Sequence, residues 1–379
     1  MPKIYFLTES FFSKYYQRVF GWKQIKKKGF TISVINSSKL TYNKYFRFFK
    51  NKIFKNKEII LNKNNFEDVF DRIKKEDYLI SLLKPNDFNS EIFAFLERKR
   101  KNYSIIDTNP GIIPPRDIIQ NLKKLSISPL ETFKQLKQRI YSSSIKINPN
   151  LIFFTGSKLF ERWKKYEKVS KLIHIPSPDY DQYVEEKRKR NLKTFQKNYA
   201  VFIGGSFYHP DIKFYRNSLI IQKKPSFSQY YSPVKKFLKN FEIKTGMKII
   251  ISSHPKLDFK SKEYGNFEHV KGKTMELVKD CSLCLTFNST AISFAVLFKK
   301  PIIFLSNNFF IPPVKKSIEN IAKYFDKTPL LTNDNTINLQ RIKKEMKINS
   351  KKYTKYKKEY LSMNNSYKTS YEILVDQFR

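Results

Sequence analysis

Two short apolar runs in the second half of the chain stop abruptly in small polar residues, and no other feature constrains the fold as strongly. Residues 248–251 lead into two serines, His254 and Pro255, and residues 282–287 lead into Asn288, Ser289 and Thr290. Such runs are typical of strands buried in a parallel α/β sheet. The polar residues then stand at the carboxyl edge of the sheet, where ligands bind.

The polar ends of the two runs have the chemistry of an anion site. Ser289 and Thr290 stand where a helix is predicted to begin, and hydroxyls together with helix N-terminal amides hold phosphate groups. His254 adds a hydrogen-bond donor, Pro255 adds a rigid turn, and Asn288 shares the position of the hydroxyls. These residues indicate a nucleotide phosphate site. The alternatives are a helix cap at Ser289 and a hydrogen-bonded strand-end histidine.

Two further loops are candidates for the same site. Gly204, Gly205 and Ser206 follow an apolar run at 199–203, and the missing glycine side chains let backbone amides approach a phosphate. The alternative is a tight turn that needs a positive φ. Lys273 lies between a predicted strand and a predicted helix, where it either meets the nucleotide or stands in a solvated loop.

Repeated alternation of strands and helices predicts parallel sheets covered by helices. The predicted strands are 3–7, 30–35, 78–83, 103–106, 151–154, 172–175, 199–203, 248–251, 267–270, 282–287 and 301–305. A helix over 15–28 is expected to end at Gly29, and a helix over 231–244 is expected to end at Gly246.

Length and a break in the pattern predict two domains and a tail. The chain has 379 residues, which exceeds one typical domain, and a charged run at 185–190 precedes the restart of the alternation. We therefore expect a first domain over 1–190 and a second over 191–335. A helical tail rich in lysine and tyrosine is expected over 336–379.

The order of these motifs resembles the GT-B class of glycosyltransferases, which has two Rossmann-like domains whose parallel sheets face an interdomain cleft. More narrowly, His254-Pro255 followed by Ser289-Thr290 resembles bacterial sialyltransferases and the capsule and lipopolysaccharide sugar transferases that use CMP-activated donors. Residues 199–306 carry the resemblance, and the N-terminal half shares only the architecture. The expected fold class is therefore α/β of the GT-B type.

The resemblance implies a metal-independent transferase of hexosyl or sialyl type. It would move a sugar, such as a sialic-acid-like sugar or Kdo, from a CMP-linked donor to a glycan or glycolipid acceptor in polysaccharide or lipooligosaccharide biosynthesis, with no further cofactor. It also implies that Glu276 contacts the ribose, whereas the alternative is an acid favoured by the helix dipole. CDP-glycerol transferases share the histidine and serine pairs. A CDP-glycerol-type transferase, a UDP-sugar transferase and an epimerase therefore stay open.

Transfer with inversion needs a base that deprotonates the acceptor hydroxyl, and we expect the first domain to supply it. Asp107 ends the predicted strand at 103–106, where the resembled sialyltransferases place an acidic motif. Here that motif is replaced by Asp-Thr-Asn-Pro-Gly. Glu9, after the first strand, is the rival catalytic residue, and a turn-forming role is the alternative for Asp107.

Asp179 and Asp181 form an Asp-x-Asp pair of the kind that chelates a divalent ion in another glycosyltransferase class. The pair follows Pro178 near the expected domain boundary and does not end a strand. We therefore expect no metal site in this protein.

Residues 42–55 are both aromatic and basic. As a helix, they place an apolar face beside lysines and an arginine, as in a helix that lies on an anionic bilayer. The apolar face consists of Tyr42, Tyr45, Phe46, Phe49 and Ile53. The alternative is a core helix with a solvated basic face.

The net charge of +41 gives the chain a field that attracts polyanions. Lys, Asn, Ile and Phe are abundant and Gly is scarce, with only 9 residues, so the charge indicates compositional bias. No nucleic-acid-binding signature is present, and we expect no specific nucleic acid partner. A basic nucleic-acid-binding protein is the alternative from another functional class.

A cytoplasmic protein is expected, peripheral on the inner membrane face if residues 42–55 bind lipid. No apolar run approaches the roughly 20 residues that span a bilayer, and the N-terminus lacks the basic region of a signal peptide. Cys281 and Cys284 are three apart in the apolar run 281–285, and residues three apart on a strand point to opposite faces, so we expect buried structural thiols on opposite faces. The alternative is a redox pair.

Overall fold

The computed structural model describes residues 2–85, 89–108, 145–189, 198–204, 226–253, 264–310, 312–334 and 336–378. These residues form two compact units. Unit 1 holds the described residues up to Pro178 and those from Lys368 onward, and unit 2 holds the described residues from Asp179 to Tyr367.

Unit 1 is a parallel sheet with helices. Its strands are β1 Lys3–Thr8, β2 Thr31–Asn36, β3 Ile59–Ile60, β4 Tyr78–Ser81, β5 Ser104–Asp107, β6 Leu151–Phe154 and β7 Lys171–His174. Its helices are α1 Lys14–Val19, α2 Trp22–Lys27, α3 Ser38–Thr41, α4 Asn43–Lys55, α5 Phe66–Asp71, α6 Ser90–Arg98, α7 Gly156–Trp163 and, from the end of the chain, α15 Ser370–Val375. The strand order is β3-β2-β1-β4-β5-β6-β7, and every neighbouring pair is parallel.

Unit 2 repeats this architecture. Its strands are β8 Tyr199–Ile203, β9 Lys248–Ser253, β10 Glu268–Lys271, β11 Leu283–Thr286, β12 Ile302–Ser306 and β13 Leu330–Leu331. Its helices are α8 Pro178–Arg188, which starts at the border, α9 Phe227–Thr245, α10 Thr274–Asp280, α11 Ile292–Leu297, α12 Pro312–Tyr324, α13 Leu339–Glu345 and α14 Ser350–Tyr356. The order is β10-β9-β8-β11-β12-β13, again with parallel neighbours.

The strand sequences explain why both sheets are parallel and covered. All of β8 is buried, and so is β1 apart from its first residue, because strands covered on both faces read as continuous apolar sequence. Aromatic rings fill the space beside the sheets: the Phe6 ring centroid lies 5.6 Å from that of Phe12, and the Phe202 ring centroid lies 5.3 Å from that of Tyr264. The predicted α/β class with two parallel sheets is confirmed.

The border between the units lies at Pro178 and Asp179, whereas the sequence analysis places a boundary at 190. The charged run does not separate the units, because its described residues 185–188 belong to α8, whose Tyr180 and Val184 lie in the core of unit 2. The residues of the expected C-terminal tail belong to both units. Tyr353 packs in the core of unit 2, and Phe378 packs in that of unit 1.

The predicted helix over 15–28 is two helices, α1 and α2, because Gly21 between them has a φ of 63°. A Cβ atom built on Gly21 would lie only 2.5 Å from Tyr371 Cβ. Glycine is therefore needed at the break for two reasons, the left-handed backbone and the close approach of α15.

Cys281 and Cys284 are both buried free thiols, as expected, but the expectation of opposite faces is wrong. Their sulfur atoms lie 3.7 Å apart. Cys281 precedes β11 and forms the C-terminal cap of α10, so strand alternation does not apply to the pair. The hydrogen bond with Cys281 and burial raise the pKa of Cys284, which keeps it a thiol.

Residues 43–55 form the predicted helix as α4, and three residues of its apolar face are not free to meet a bilayer. Phe46, Phe49 and Ile53 are buried within the protein. Among its described side chains, Phe54 is the large apolar one that is exposed, to 52%. The structure therefore matches the core-helix interpretation. No helix in the described ranges is long and apolar enough to cross a membrane.

Candidate functional site

Both sheets reverse their direction of winding beside their first strand. β1 lies between β2 and β4, and β8 lies between β9 and β11. In doubly wound sheets such a reversal opens a crevice at the carboxyl edge, and ligands bind there. Glu9 follows β1 and Gly204 follows β8, so each of these predicted site residues lies at such a switch point.

The loop after β11 holds the predicted phosphate-binding hydroxyls and is tied to the end of β8. Thr286 Oγ1 donates to the Ile203 carbonyl over 3.3 Å. The Ser289 amide donates to Thr286 Oγ1 over 3.4 Å, and Ser289 Oγ accepts from the Ala291 amide at 3.2 Å. The structure therefore brings Ser289 to the switch point of unit 2, beside Gly204.

The helix that follows this loop, α11, is short. It has 6 residues, so its dipole supports anion binding less than the sequence analysis expects. Asn288 and Thr290 are exposed and Ser289 is partly exposed. The side chains of the loop, more than the helix, are therefore the groups open to a phosphate.

Gly204 does not adopt the positive φ of the alternative interpretation. A Cβ atom built on it would lie 3.2 Å from the Phe202 ring and 3.4 Å from the Tyr264 hydroxyl. Glycine fits here because neighbouring side chains approach the backbone closely, and not because of a left-handed turn.

Lys273 and Glu276 lie two strands away from the switch point of unit 2. Both are exposed, Lys273 as the residue before α10 and Glu276 in the first turn of that helix. The loop that carries them is held at the end of β9, where Ser252 Oγ lies 2.7 Å from Thr274 Oγ1. Four predicted site residues lie outside the described residues: Gly205, Ser206, His254 and Pro255.

Glu9 is the acidic side chain at the switch point of unit 1. It is partly exposed, and its Oε2 accepts a hydrogen bond from Asn89 Nδ2 at 3.0 Å. Burial raises the pKa of Glu9, and the Asn89 hydrogen bond and the charge of Lys84 oppose this effect. Tyr42 lies near enough for Glu9 to contribute, after burial, to its raised pKa. A carboxylate held this way is suited to accept a proton.

Asp107 ends β5 and is completely buried. Its Oδ2 accepts from Trp163 Nε1 at 3.1 Å and from Arg162 Nη1 at 3.3 Å. Lys84 Nζ lies 2.9 Å from Oδ1. The buried carboxylate is therefore enclosed by an indole N–H and two cations of unit 1.

The sequence analysis missed Lys84, Asn89 and Arg162. Lys84 follows β4, Asn89 caps the start of α6, and Arg162 lies in α7. Asn89 and Arg162 do not follow an apolar run, but Lys84 directly follows the predicted strand at 78–83. The end of that run is the signal that could have found Lys84, and the strand order then places β4 between β1 and β5.

Asp179 and Asp181 lie in the first turn of α8. Asp179 is hydrogen-bonded to Ser293, and burial raises its pKa to about 6. Ser293 Oγ in turn donates to the Thr290 carbonyl at 2.8 Å. The first aspartate is thus linked to the loop after β11. In the part of the chain that the structure describes, no three His, Cys, Asp or Glu side chains are arranged to hold a metal ion.

The sequence matches none of the known protein-family profiles. Among curated proteins, ribonuclease Y of Mesoplasma florum is 28% identical over 181 residues, covering 44% of this chain and 34% of that protein. The chain therefore spans about a third of the length of the curated relative that it matches.

Solved structures share the fold over nearly the whole chain. A variant of the wall teichoic acid polymerase TagF aligns over 99% of this chain and 88% of its own, with 14% identity and a TM-score of 0.54. The UDP-GlcNAc 2-epimerase of Methanocaldococcus jannaschii, in complex with UDP-GlcNAc and UDP, covers 93% and 97% with 12% identity and a TM-score of 0.46. The likeness to TagF confirms the expected GT-B fold.

Proposed function

We propose that this protein is a glycosyltransferase that moves a sugar from a nucleotide-activated donor to a glycan acceptor. The observation that carries the proposal is the position of Glu9 after β1, Gly204 after β8 and Ser289 after β11, at the switch points of two parallel sheets of the GT-B type. TagF, which shares this fold, is a polymerase of wall teichoic acid, so the fold supports transfer of a group to a surface polymer.

Unit 2 binds the donor in this proposal. Ser289, Thr290 and Asn288 meet the phosphate, and Gly204 lies at the same switch point. In the sequence, Gly205 and Ser206 follow Gly204, and His254 and Pro255 follow β9, and we assign these four residues to the same site. Lys273 and Glu276 reach the sugar or the ribose from the end of β10. The histidine and serine pairs support a CMP-linked donor sugar, of the sialic-acid or Kdo kind.

Unit 1 binds the acceptor and supplies the base. Glu9 takes the proton of the acceptor hydroxyl, the hydroxyl oxygen attacks the anomeric carbon, and the bond from that carbon to the nucleotide phosphate breaks. Hydroxyls and amides around Ser289 stabilise the charge on the departing phosphate. This sequence of steps needs no metal ion. We prefer Glu9 to Asp107 as the base because Asp107 is buried among three donors.

We place the enzyme in the cytoplasm, in the synthesis of a surface polysaccharide or lipooligosaccharide. The buried free thiols Cys281 and Cys284 support a reducing compartment. The basic side chains of α4 could still meet anionic lipid. Its apolar residues Phe46, Phe49 and Ile53 could not, because they are buried within unit 1.

A CDP-glycerol-type transferase is the second candidate, favoured by the likeness to TagF. Both candidates predict a cytidine nucleotide in unit 2 and differ in the transferred group. Adding CMP-linked sugars or CDP-glycerol to a mixture of acceptors, and identifying the product by mass, distinguishes them.

A thermal-shift comparison of CMP, CDP, UDP and GDP tests the proposal, since a ligand that binds only the folded state raises the melting temperature. We expect the cytidine nucleotides to give the largest shift. A larger shift with UDP than with the cytidine nucleotides would indicate that the donor is a UDP-sugar and not a CMP-linked sugar. No shift with any of the four nucleotides would overturn the proposed function.

Variants of the proposed phosphate-binding residues test where the nucleotide binds. The double variant Ser289→Ala/Thr290→Ala should lose most of the shift, because lost hydrogen bonds to a charged phosphate cost about 1.5–3 kcal/mol each. His254→Ala should weaken binding in the same way. The matched control is Ser228→Ala/Ser232→Ala, which removes two hydroxyls that bond each other on the exposed face of α9. An equal loss in the control would contradict the site.

A further inference from the structure

Two cations in unit 1 share one buried carboxylate. The Lys84 and Arg162 side chains are 41% and 46% exposed, and both contact Asp107, whose side chain is 0% exposed. Trp163 Nε1 donates to the same carboxylate at 3.1 Å and fixes its orientation from the buried side. Both cations are thus held by a buried partner, while nearly half of each side chain is exposed.

Other ion pairs of unit 1 are built differently. Arg98 lies 3.8 Å from Glu67, and the two side chains are 69% and 60% exposed. Both partners are solvated, so the ion pair restrains neither side chain strongly. In the Asp107 cluster the acid is enclosed, and the distances are 2.9 Å to Lys84 and 3.3 Å to Arg162. A buried anchor that restrains two half-exposed cations is suited to present them to a ligand.

The cluster adjoins the proposed base. Asn89 Nδ2 donates to Glu9 Oε2 at 3.0 Å and also lies 3.4 Å from the Lys84 carbonyl, so one amide fixes both residues. The Lys84 charge also acts on Glu9. A group bound by Lys84 therefore lies beside the atom that would take a proton.

We infer that Lys84 and Arg162 form a subsite for an oxyanion of the acceptor, a phosphate or a carboxylate close to its reacting hydroxyl, and that Asp107 is the positioning residue of this subsite. The inference rests on the proposed function and names the acceptor class. The two cations outweigh the one carboxylate they share, and a guanidinium matches two oxygens of either oxyanion. Glu9, which follows β1, carries a negative charge that repels the oxyanion.

The test compares charged and neutral probes of matched shape. Glycerol 3-phosphate is measured against glycerol, and glucuronate against glucose, by NMR titration at constant ionic strength. We expect the charged member of one pair to bind with saturation and its neutral partner not to bind. The pair that binds tells whether the oxyanion is a phosphate or a carboxylate.

Matched variants separate the subsite from the general positive field of a chain with net charge +41. Arg162→Gln and Lys84→Gln should each lower the affinity for the charged probe about 10-fold. Arg98→Gln removes the same charge from an exposed pair and should not lower it. Arg162→Lys keeps the charge but loses the fork and should also weaken binding. Glu9→Gln should strengthen binding, because it removes the opposing charge.

Equal binding of charged and neutral probes, or an equal loss in Arg98→Gln and Arg162→Gln, would overturn the inference. Nucleotide binding to unit 2 is measured on the same variants and does not depend on this subsite. A protein that binds a cytidine nucleotide but not the charged probes would refute only the acceptor class. A protein that binds no nucleotide would refute the proposed function.

Discussion

Asn89 Nδ2 lies 3.0 Å from Glu9 Oε2, although the two residues are 80 positions apart in the chain. The contact holds the carboxylate at the switch point of unit 1 with one of its oxygens bonded to an amide. Glu9→Gln should keep the contact and lower turnover by about 10²–10⁴, because the amide cannot take a proton. Initial transfer rates measure this, with Glu67→Gln as the control.

The rate of the same reaction should depend on the ionisation of Glu9. Burial raises the pKa of Glu9 above its ordinary 4.5, and a base must be unprotonated to act. The transfer rate should therefore rise with pH through that raised pKa, and the Glu9→Gln variant should not show the rise. An unchanged profile in the variant would exclude Glu9 as the base.

Asp107→Asn should lower turnover for another reason. The substitution leaves Lys84 and Arg162 without their shared counter-charge, so both the acceptor site and unit 1 are disturbed. We expect reduced transfer, preserved nucleotide binding in unit 2 and a less stable unit 1, measured by urea denaturation. Lost turnover at full stability, with normal binding of the charged probes, would instead favour Asp107 as the base.

Asp179 should make unit 2 less stable as pH rises. Its pKa is raised from 3.8 to about 6, so the folded state binds the proton more tightly than the unfolded state does. Its contribution to stability is complete below the unfolded pKa and is lost as pH rises through the folded pKa, a change of about 1–3 kcal/mol. Asp179→Asn should abolish this part of the pH dependence. Urea denaturation of both proteins across that range measures the difference.

Glu186, in the same helix, should have the opposite effect. Hydrogen bonds from Lys189 and Lys279, both at 2.7 Å, lower its pKa. Its contribution is present above the unfolded pKa and is lost as pH falls through the folded pKa. Lys279→Met should destabilise unit 2 by about 1–3 kcal/mol, because Lys279 is largely buried. Lys189→Met, at an exposed position, should cost less, and equal losses would contradict this account.

Gly21→Ala should destabilise unit 1 more than Gly246→Ala destabilises unit 2. Both glycines have positive φ, but only at Gly21 would the new Cβ approach Tyr371, to 2.5 Å. At Gly246 nothing lies within 4 Å, so only the backbone penalty of about 1–2 kcal/mol applies. Melting temperatures of the two variants measure the contrast. Similar losses would show that α15 can move away from Gly21.

The strands could be predicted because a buried parallel strand is a continuous apolar run, which is visible in one sequence. Residues at the ends of such runs, including Glu9, Asp107 and Ser289, therefore follow from the sequence as edge residues. The contacts between these residues do not follow from the sequence. Lys84 meets Asp107 only because β4 lies beside β5, and strand order is a property of the folded sheet.

Errors in the sequence analysis share one cause, which is that local patterns do not report what covers a segment. Residues 185–188 indicate a domain boundary because they are charged, yet they lie in α8, where Glu186 is buried against Lys279. Phe46 and Phe49 fit both a membrane face and a core helix in the sequence, and only the structure shows that unit 1 covers them. Cys281 and Cys284 meet because the first lies in a helix cap and not in the strand.

The return of the chain from unit 2 to α15 has a consequence for synthesis. Phe378 packs on Phe30 and Tyr78, with ring centroids 5.6 Å and 4.8 Å away, and Lys28 Nζ donates to the Val375 carbonyl. Unit 1 therefore cannot close its core on the ribosome until the chain has been translated through Phe378. The described residues of unit 2 all precede α15 in the chain, so unit 2 can fold first, whereas the core around β1 and β2 is completed by a helix made hundreds of residues later.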